Sequence, residues 1–338
     1  MKNKRKKIII VSMNGMKPVG GVERVVFYLH QILSEKYEVK LLSIKISFGK
    51  LNLLIYPLLF SIYLCFIRNK FVISQSWQSF LYPVDLSIHH GTTKGFTQKC
   101  PDTVSIASKI LSLMEKISAH TAKKVLAVSD NCKNELIYLY KVKERKIFIL
   151  NNFVSEKQFF PMDKNNTISN ERIILLFSGR LENRKGLQEL QIISDYIEQF
   201  DNIELHIGCN DSGNTETFLN KKNTKLYIGM SFEQMNDFYN SGNVLIFPTK
   251  YEGFSMSTLE ALSSGLCVVG TRFAVMPELQ KYEFCKVRET FEPEELIEDC
   301  KKLVAIWKNK KLYIHECLKK DFGYEQYKNK LFNIMKLR

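Results

Sequence analysis

The chain has 338 residues, a formal net charge of +14, 45% hydrophobic and 25% charged residues. This is the composition of a globular protein with room for two domains of about 150 residues. Its eight cysteines are scattered, with no C-x-x-C and no zinc-like His spacing, which argues against a disulfide framework and for reduced thiols in a cytoplasmic setting.

The charge is one-sided. Residues 1–150 hold 24 Lys and Arg against 9 Asp and Glu, a balance of +15, whereas residues 151–338 hold 25 against 26. An excess confined to one half points to an anionic partner, either a membrane leaflet or a nucleic acid.

In chain order, KNKRKKIIIVSMNG has a basic start, but its apolar run is too short for a signal peptide and predicts a first buried strand. Further short β-branched runs, at 39–44, 70–75, 85–90, 124–129 and 146–150, alternate with helix-like stretches such as VERVVFYLHQILSEKY. This alternation predicts a parallel sheet with helices on both faces. LNLLIYPLLFSIYLCFI (51–67) is shorter than the roughly 20 apolar residues of a spanning helix. It reads as a buried or interfacial helix. NNFVSEKQFFPMDKNNTISNE (151–171), rich in Asn and aperiodic, reads as a linker. Strands resume at 172–178, 203–208, 225–230, 243–248 and 266–271, and from about residue 292 the pattern turns helical. The chain is therefore expected to form an N-terminal domain over 1–150 and a second domain over 172–320. A final helix over 321–338 is expected to return to the first.

Three stretches carry chemistry. PVGGVERVV follows the first strand, and Gly20 and Gly21 there allow backbone N–H groups to approach a ligand; a plain tight turn is the simpler account. In FSGRLENRKGLQEL, Arg180 and Lys185 flank a strand-to-helix turn and suit a diphosphate; a solvated basic turn, with Arg184 between them, is the alternative. In TKYEGFSMSTLEALSSG, Glu252, Gly253, Phe254 and Ser255 form a loop before a helix expected to start near Ser257. Its amides suit an anion, while Glu260 and Glu252 suit the hydroxyls of a ribose and an attached sugar. The plainer account makes Ser257 the N-cap and Glu260 the third residue of a capping box, which leaves Glu252 unexplained.

Together these stretches, with HHG (89–91), VLAVSD (125–130), ILNNFVS (149–155) and MPEL (276–279), resemble the retaining glycosyltransferases of family 4, which have the GT-B fold. The resemblance runs from about residue 10 to 330 and is most specific in the second domain. It implies an α/β chain of two Rossmann-like, doubly wound domains facing a central cleft. It implies transfer of a hexose or N-acetylhexosamine from a nucleotide diphosphate sugar, a UDP-sugar first among them, to a saccharide or lipid-linked acceptor. Arg180 and Lys185 would neutralise the diphosphate, Glu252 would contact the donor sugar, and Glu260 the ribose. His90 would contact sugar or acceptor, His89 being turned to the other face by strand parity. Gly20 and Gly21 would let their loop close on the phosphates. No D-x-D occurs, so neither metal nor other cofactor is expected. Ser255 stands where many members carry Gly or Pro, a change that bears on sugar choice, and Asn152-Phe153 replaces the common Asn-Gly. The expected setting is bacterial surface polysaccharide synthesis (lipopolysaccharide, O-antigen or capsule) at the inner face of the cell membrane, with the basic domain on anionic lipid. Two other classes are a non-catalytic glycosyltransferase-like subunit and a basic nucleic-acid-binding protein. The latter lacks any RRM or zinc-finger spacing, so no nucleic-acid partner is expected.

Overall fold

The computed structural model describes residues 6–16, 21–44, 49–68, 70–162, 172–210 and 213–336. The chain divides into two units, one of residues 1–152 with 330–338 and one of residues 153–329. Of the Asn-rich segment 151–171, residues 153–162 belong to the second unit and 163–171 lie outside the described residues.

The first unit runs β1 (Lys7–Val11), α1 (Gly21–Ser34), β2 (Glu38–Leu42), α2 (Asn52–Cys65), β3 (Lys70–Gln75), β4 (Leu86–His89), α3 (Thr93–Lys99), α4 (Ile106–Thr121), β5 (Lys124–Ala127), α5 (Asp130–Tyr138) and β6 (Ile147–Ile149). Its sheet is parallel, in the order β2-β1-β3-β4-β5-β6. Local chemistry sets the helix starts. The Thr92 hydroxyl accepts the Gly95 N–H, Ser129 accepts the Cys132 N–H, and Ser105 and Ser108 cap α4 reciprocally.

The second unit runs β7 (Ile173–Ser178), α6 (Leu187–Ile197), β8 (Ile203–Cys209), β9 (Thr224–Ile228), α7 (Met235–Tyr239), β10 (Val244–Phe247), α8 (Met256–Ser263), β11 (Cys267–Gly270), β12 (Cys285–Val287), α9 (Pro293–Phe322, kinked at Lys310) and α10 (Tyr324–Lys336). Its sheet is also parallel, in the order β12-β11-β10-β7-β8-β9. β7 and β10 form its centre, and every residue of both is buried. The end of α10, from Lys330, belongs to the first unit. There Leu331 and Phe332 are buried and Lys124 Nζ donates to the Ile334 carbonyl at 2.7 Å.

All eleven strands expected from the apolar runs are present. β12 was not legible: it is three residues long, lies at a sheet edge and carries an exposed lysine. Such a segment has no apolar run to betray it.

Candidate functional site

In the second sheet the chain proceeds outward from β7 through β8 to β9, then returns to place β10 on the other side of β7. The order reverses between β7 and β10. In open parallel sheets, ligands bind beyond the carboxyl ends of the strands at such a reversal. β7 ends at Ser178 and leads into the turn bearing Arg180, Arg184 and Lys185; β10 ends at Phe247 and leads into the loop bearing Glu252. Two stretches far apart in sequence are thus delivered to one point by topology.

There, one oxygen of Glu252 gathers three donors. Lys185 Nζ lies 2.5 Å from Oε1, Thr249 Oγ1 donates to it at 2.9 Å, and Arg184 Nη1 at 3.3 Å. Arg184 also ties the turn to the loop: its Nη1 donates to the Tyr251 carbonyl, and its own carbonyl accepts the Lys250 N–H at 2.8 Å. The Thr249 carbonyl accepts from Thr271 Oγ1 at 2.6 Å, anchoring the loop to the end of β11. Lys185 sits 4.9 Å above the Phe247 ring, and its side chain is 14% exposed. Burial lowers its pKa, Glu252 opposes that, and the charges of Arg184 and Arg180 lower it further. A second anion close to this lysine would favour its charged form.

Arg180 is placed differently. It is exposed and pairs with Glu182 at 2.9 Å, outside the Glu252 cluster. An exposed ion pair is worth little, so the guanidinium can leave Glu182 for a stronger partner at small cost.

The helix after the loop starts earlier than expected. α8 is capped by Ser255, whose Oγ accepts the Thr258 N–H at 3.2 Å, so Ser257 is not the cap. Glu260 then falls at the fifth helical position, and the capping-box account of it fails. Its carboxylate is buried, and Oε2 accepts from the Tyr239 hydroxyl at 3.0 Å. Phe254 is buried, with its ring 6.0 Å from that of Phe322.

A family model described as Glycosyl transferases group 1 matches residues 172–305. That segment resembles the glycosyl transferases group 1 family. The group 1 segment holds the whole Arg180–Lys185–Glu252–Glu260 set. Among curated proteins, the capsular polysaccharide biosynthesis glycosyltransferase CapM of Staphylococcus aureus is 28% identical over 179 residues, 48% of this chain and 47% of that protein. The chain spans about half the length of the curated relatives it matches. Among solved structures, sucrose-phosphate synthase from Thermosynechococcus elongatus superposes with a TM-score of 0.77 at 15% identity, covering 98% of both chains. Anabaena HepE, in complex with UDP and glucose, gives 0.71 at 14%, covering 99% of this chain and 100% of that one. The fold is GT-B.

The remaining predicted residues lie in the first unit. Gly20 is outside the described residues, and Gly21 opens α1. His90 follows β4, and its Nε2 lies 2.7 Å from Gln75 Oε1 at the end of β3. Burial lowers its pKa to about 4, so the ring is neutral at pH 7 and Nε2–H donates to the amide oxygen. His89 is fully buried against Ser87 and Ser76. Sequence reasoning placed Arg184 between the two selected cations without giving it a part. Only the folded turn shows its guanidinium on Glu252; the run of adjacent cations, Arg184-Lys185, was the available signal.

Proposed function

We propose that this chain is a retaining glycosyltransferase. It moves a hexose or N-acetylhexosamine from a nucleotide diphosphate sugar to a saccharide or lipid-linked acceptor in bacterial surface polysaccharide synthesis, at the inner face of the cell membrane. The observation that carries this reading is the convergence of Lys185 and Arg184 on Glu252 at the strand-order reversal of the second unit. The likeness to CapM supports the polysaccharide setting, and that to HepE, solved with UDP and glucose, supports a UDP-sugar donor.

In this reading Lys185 and Arg180 bind the diphosphate and offset the charge that grows on it as the sugar leaves, without a metal ion. Arg184 stays on Glu252 and holds the carboxylate in place. Three donors occupy Oε1, so Oε2 is the atom offered to a sugar hydroxyl. Glu260, oriented by Tyr239, accepts from the ribose. The bond from the anomeric carbon to the phosphate oxygen breaks, and the acceptor oxygen bonds to that carbon on the same face. The acceptor's proton passes to the departing phosphate. His90, neutral and fixed by Gln75, offers its remaining ring nitrogen to sugar or acceptor.

The test is a thermal-unfolding panel of nucleotide sugars. A ligand that binds the native state raises the melting temperature, by about 2.7 kcal/mol of stability at a hundredfold excess over Kd. At least one UDP-sugar is expected to do so, and Lys185→Met to lose the shift. A panel with no response would remove the donor assignment.

A further inference from the structure

α2 carries no charged residue over its 14 positions, NLLIYPLLFSIYLC. Tyr56, Pro57, Phe60, Ser61 and Leu64 are buried on one side. A helix on a soluble surface normally turns polar residues outward. This one turns out Leu54, Leu58, Leu59, Ile62 and Tyr63, and Phe66 just beyond it is 81% exposed. α4 repeats the theme. Ile106, Ile110 and Leu113 lie on its outer side at spacings of four and three, with Ile106 79% exposed, and Lys109 and Lys116 are exposed beside them.

The two helices share one face of the first sheet. The β2-to-β3 and β4-to-β5 connections advance in the same direction across it, so right-handed crossovers place both on the same side. Both pack on the short turn Ser76–Ser79 between them, and exposed Leu81 follows that turn. Exposed apolar side chains gathered on one face in this way mark an interaction site.

Charge selects the occupant. Residues 49–123 hold eight Lys and Arg against three Asp and Glu. Of those acids, Glu115 is buried on Tyr140 and Thr93, and Asp85 is bound to Lys123. Asp102 is the one left exposed among them. Arg68 stands exposed at the end of α2, and Lys40 reaches the Tyr63 hydroxyl at 2.9 Å from β2. A second copy of this chain would set basic against basic. An anionic bilayer meets both properties, taking leucines into its acyl boundary and lysines at its headgroups.

We infer that the outer faces of α2 and α4 dock the first unit on an anionic lipid surface, lying in the interface rather than crossing it. At 1.5 Å per residue α2 is about 21 Å long, short of the roughly 30 Å hydrocarbon core. Among the described residues no helix is long and apolar enough to span a membrane. This gives the membrane-side location proposed above its contact surface. It is read without donor or acceptor, so its failure is separable from failure of the transferase assignment.

The experiment is sedimentation of the full chain with vesicles of phosphatidylcholine, alone and with one third phosphatidylglycerol. The chain is expected to pellet with the anionic vesicles and stay largely in solution with the neutral ones. Leu58→Gln with Ile62→Gln is expected to lower partitioning at least about tenfold while the melting temperature holds. Ile106→Gln with Ile110→Gln should lower it independently. Ile62→Trp should show fluorescence quenched by brominated lipid. Absence of vesicle binding, equal binding to both vesicle types, or unchanged binding by both folded double variants overturns the proposal. So does a lipid-free dimer that the same substitutions dissociate, since a second copy would then own the face.

Discussion

Pro248 occupies the space that a side chain on Gly186 would need. A Cβ at Gly186 would lie 2.3 Å from the Pro248 ring and 2.8 Å from its carbonyl oxygen, and Gly186 has φ +90°. The turn bearing Lys185 is pressed against the end of β10 at the one residue able to accept both the contact and the left-handed backbone.

Gly186→Ala therefore meets two penalties, conformational and steric. It is expected to destabilise the second unit by about 3 kcal/mol. Gly179→Ala, whose Cβ would meet the Phe177 ring at 3.3 Å, is expected to cost about 1 kcal/mol or less. Thermal unfolding of the two variants side by side checks the difference.

Lys185 and Glu252 act as a unit, so their removal should not be additive. Lys185→Met leaves Glu252 held by Arg184 and Thr249 and should keep the fold while lowering sugar transfer by about 100-fold or more. Glu252→Gln leaves two cations facing a neutral amide and should lower both activity and melting temperature. The double variant is expected to transfer no worse than the poorer single one. Initial rates with the donor found by the thermal panel decide this.

Tyr239→Phe withdraws the hydroxyl that donates to Glu260 inside the second unit. The expected cost is about 1–3 kcal/mol of stability. If Glu260 holds the ribose, calorimetry should also show weaker UDP binding and unchanged pyrophosphate binding. Equal weakening of both would remove Glu260 from the nucleoside.

Acid should unfold the first unit through its histidines. Burial holds the pKa of His89 to about 3 and that of His90 to about 4, against about 6.5 in an unfolded chain. The unfolded state therefore takes up protons first as pH falls. The stability each ring contributes is whole above about pH 6.5 and is lost as pH drops through about 4 for His90 and about 3 for His89. For His90 this amounts to at most about 3 kcal/mol. Melting temperature should decline from pH 6.5 to 4, and less steeply in His90→Gln. His120, also lowered by burial, adds to the slope with the same sign, and His206 acts likewise within the second unit.

The sheets were readable because a strand buried on both faces must be apolar throughout, as in IILLFS of β7. The same property hid β12, which has an exposed face and only three residues. At the site, residue types suggested which cations and acids mattered, but not which partners they would take. Arg180 and Lys185 look equivalent on paper. Yet the chain folds Lys185 onto Glu252 and leaves Arg180 with Glu182, a division set by how the turn meets β10. Ser255 rather than Ser257 caps α8 because its extended backbone (φ −74°, ψ 107°) aims its hydroxyl at the first free amides. Serines two apart cannot be ranked for that from composition.

The buried residues Leu331, Phe332 and Ile334 complete a unit whose other members precede residue 153. A ribosome must therefore make the entire second unit before the first can close. At synthesis rates of about 5–20 residues per second, that is a wait of about ten to thirty seconds. During it the nascent N-terminal sheet keeps an apolar strip uncovered, and a fragment ending at Asn152 would carry that strip permanently.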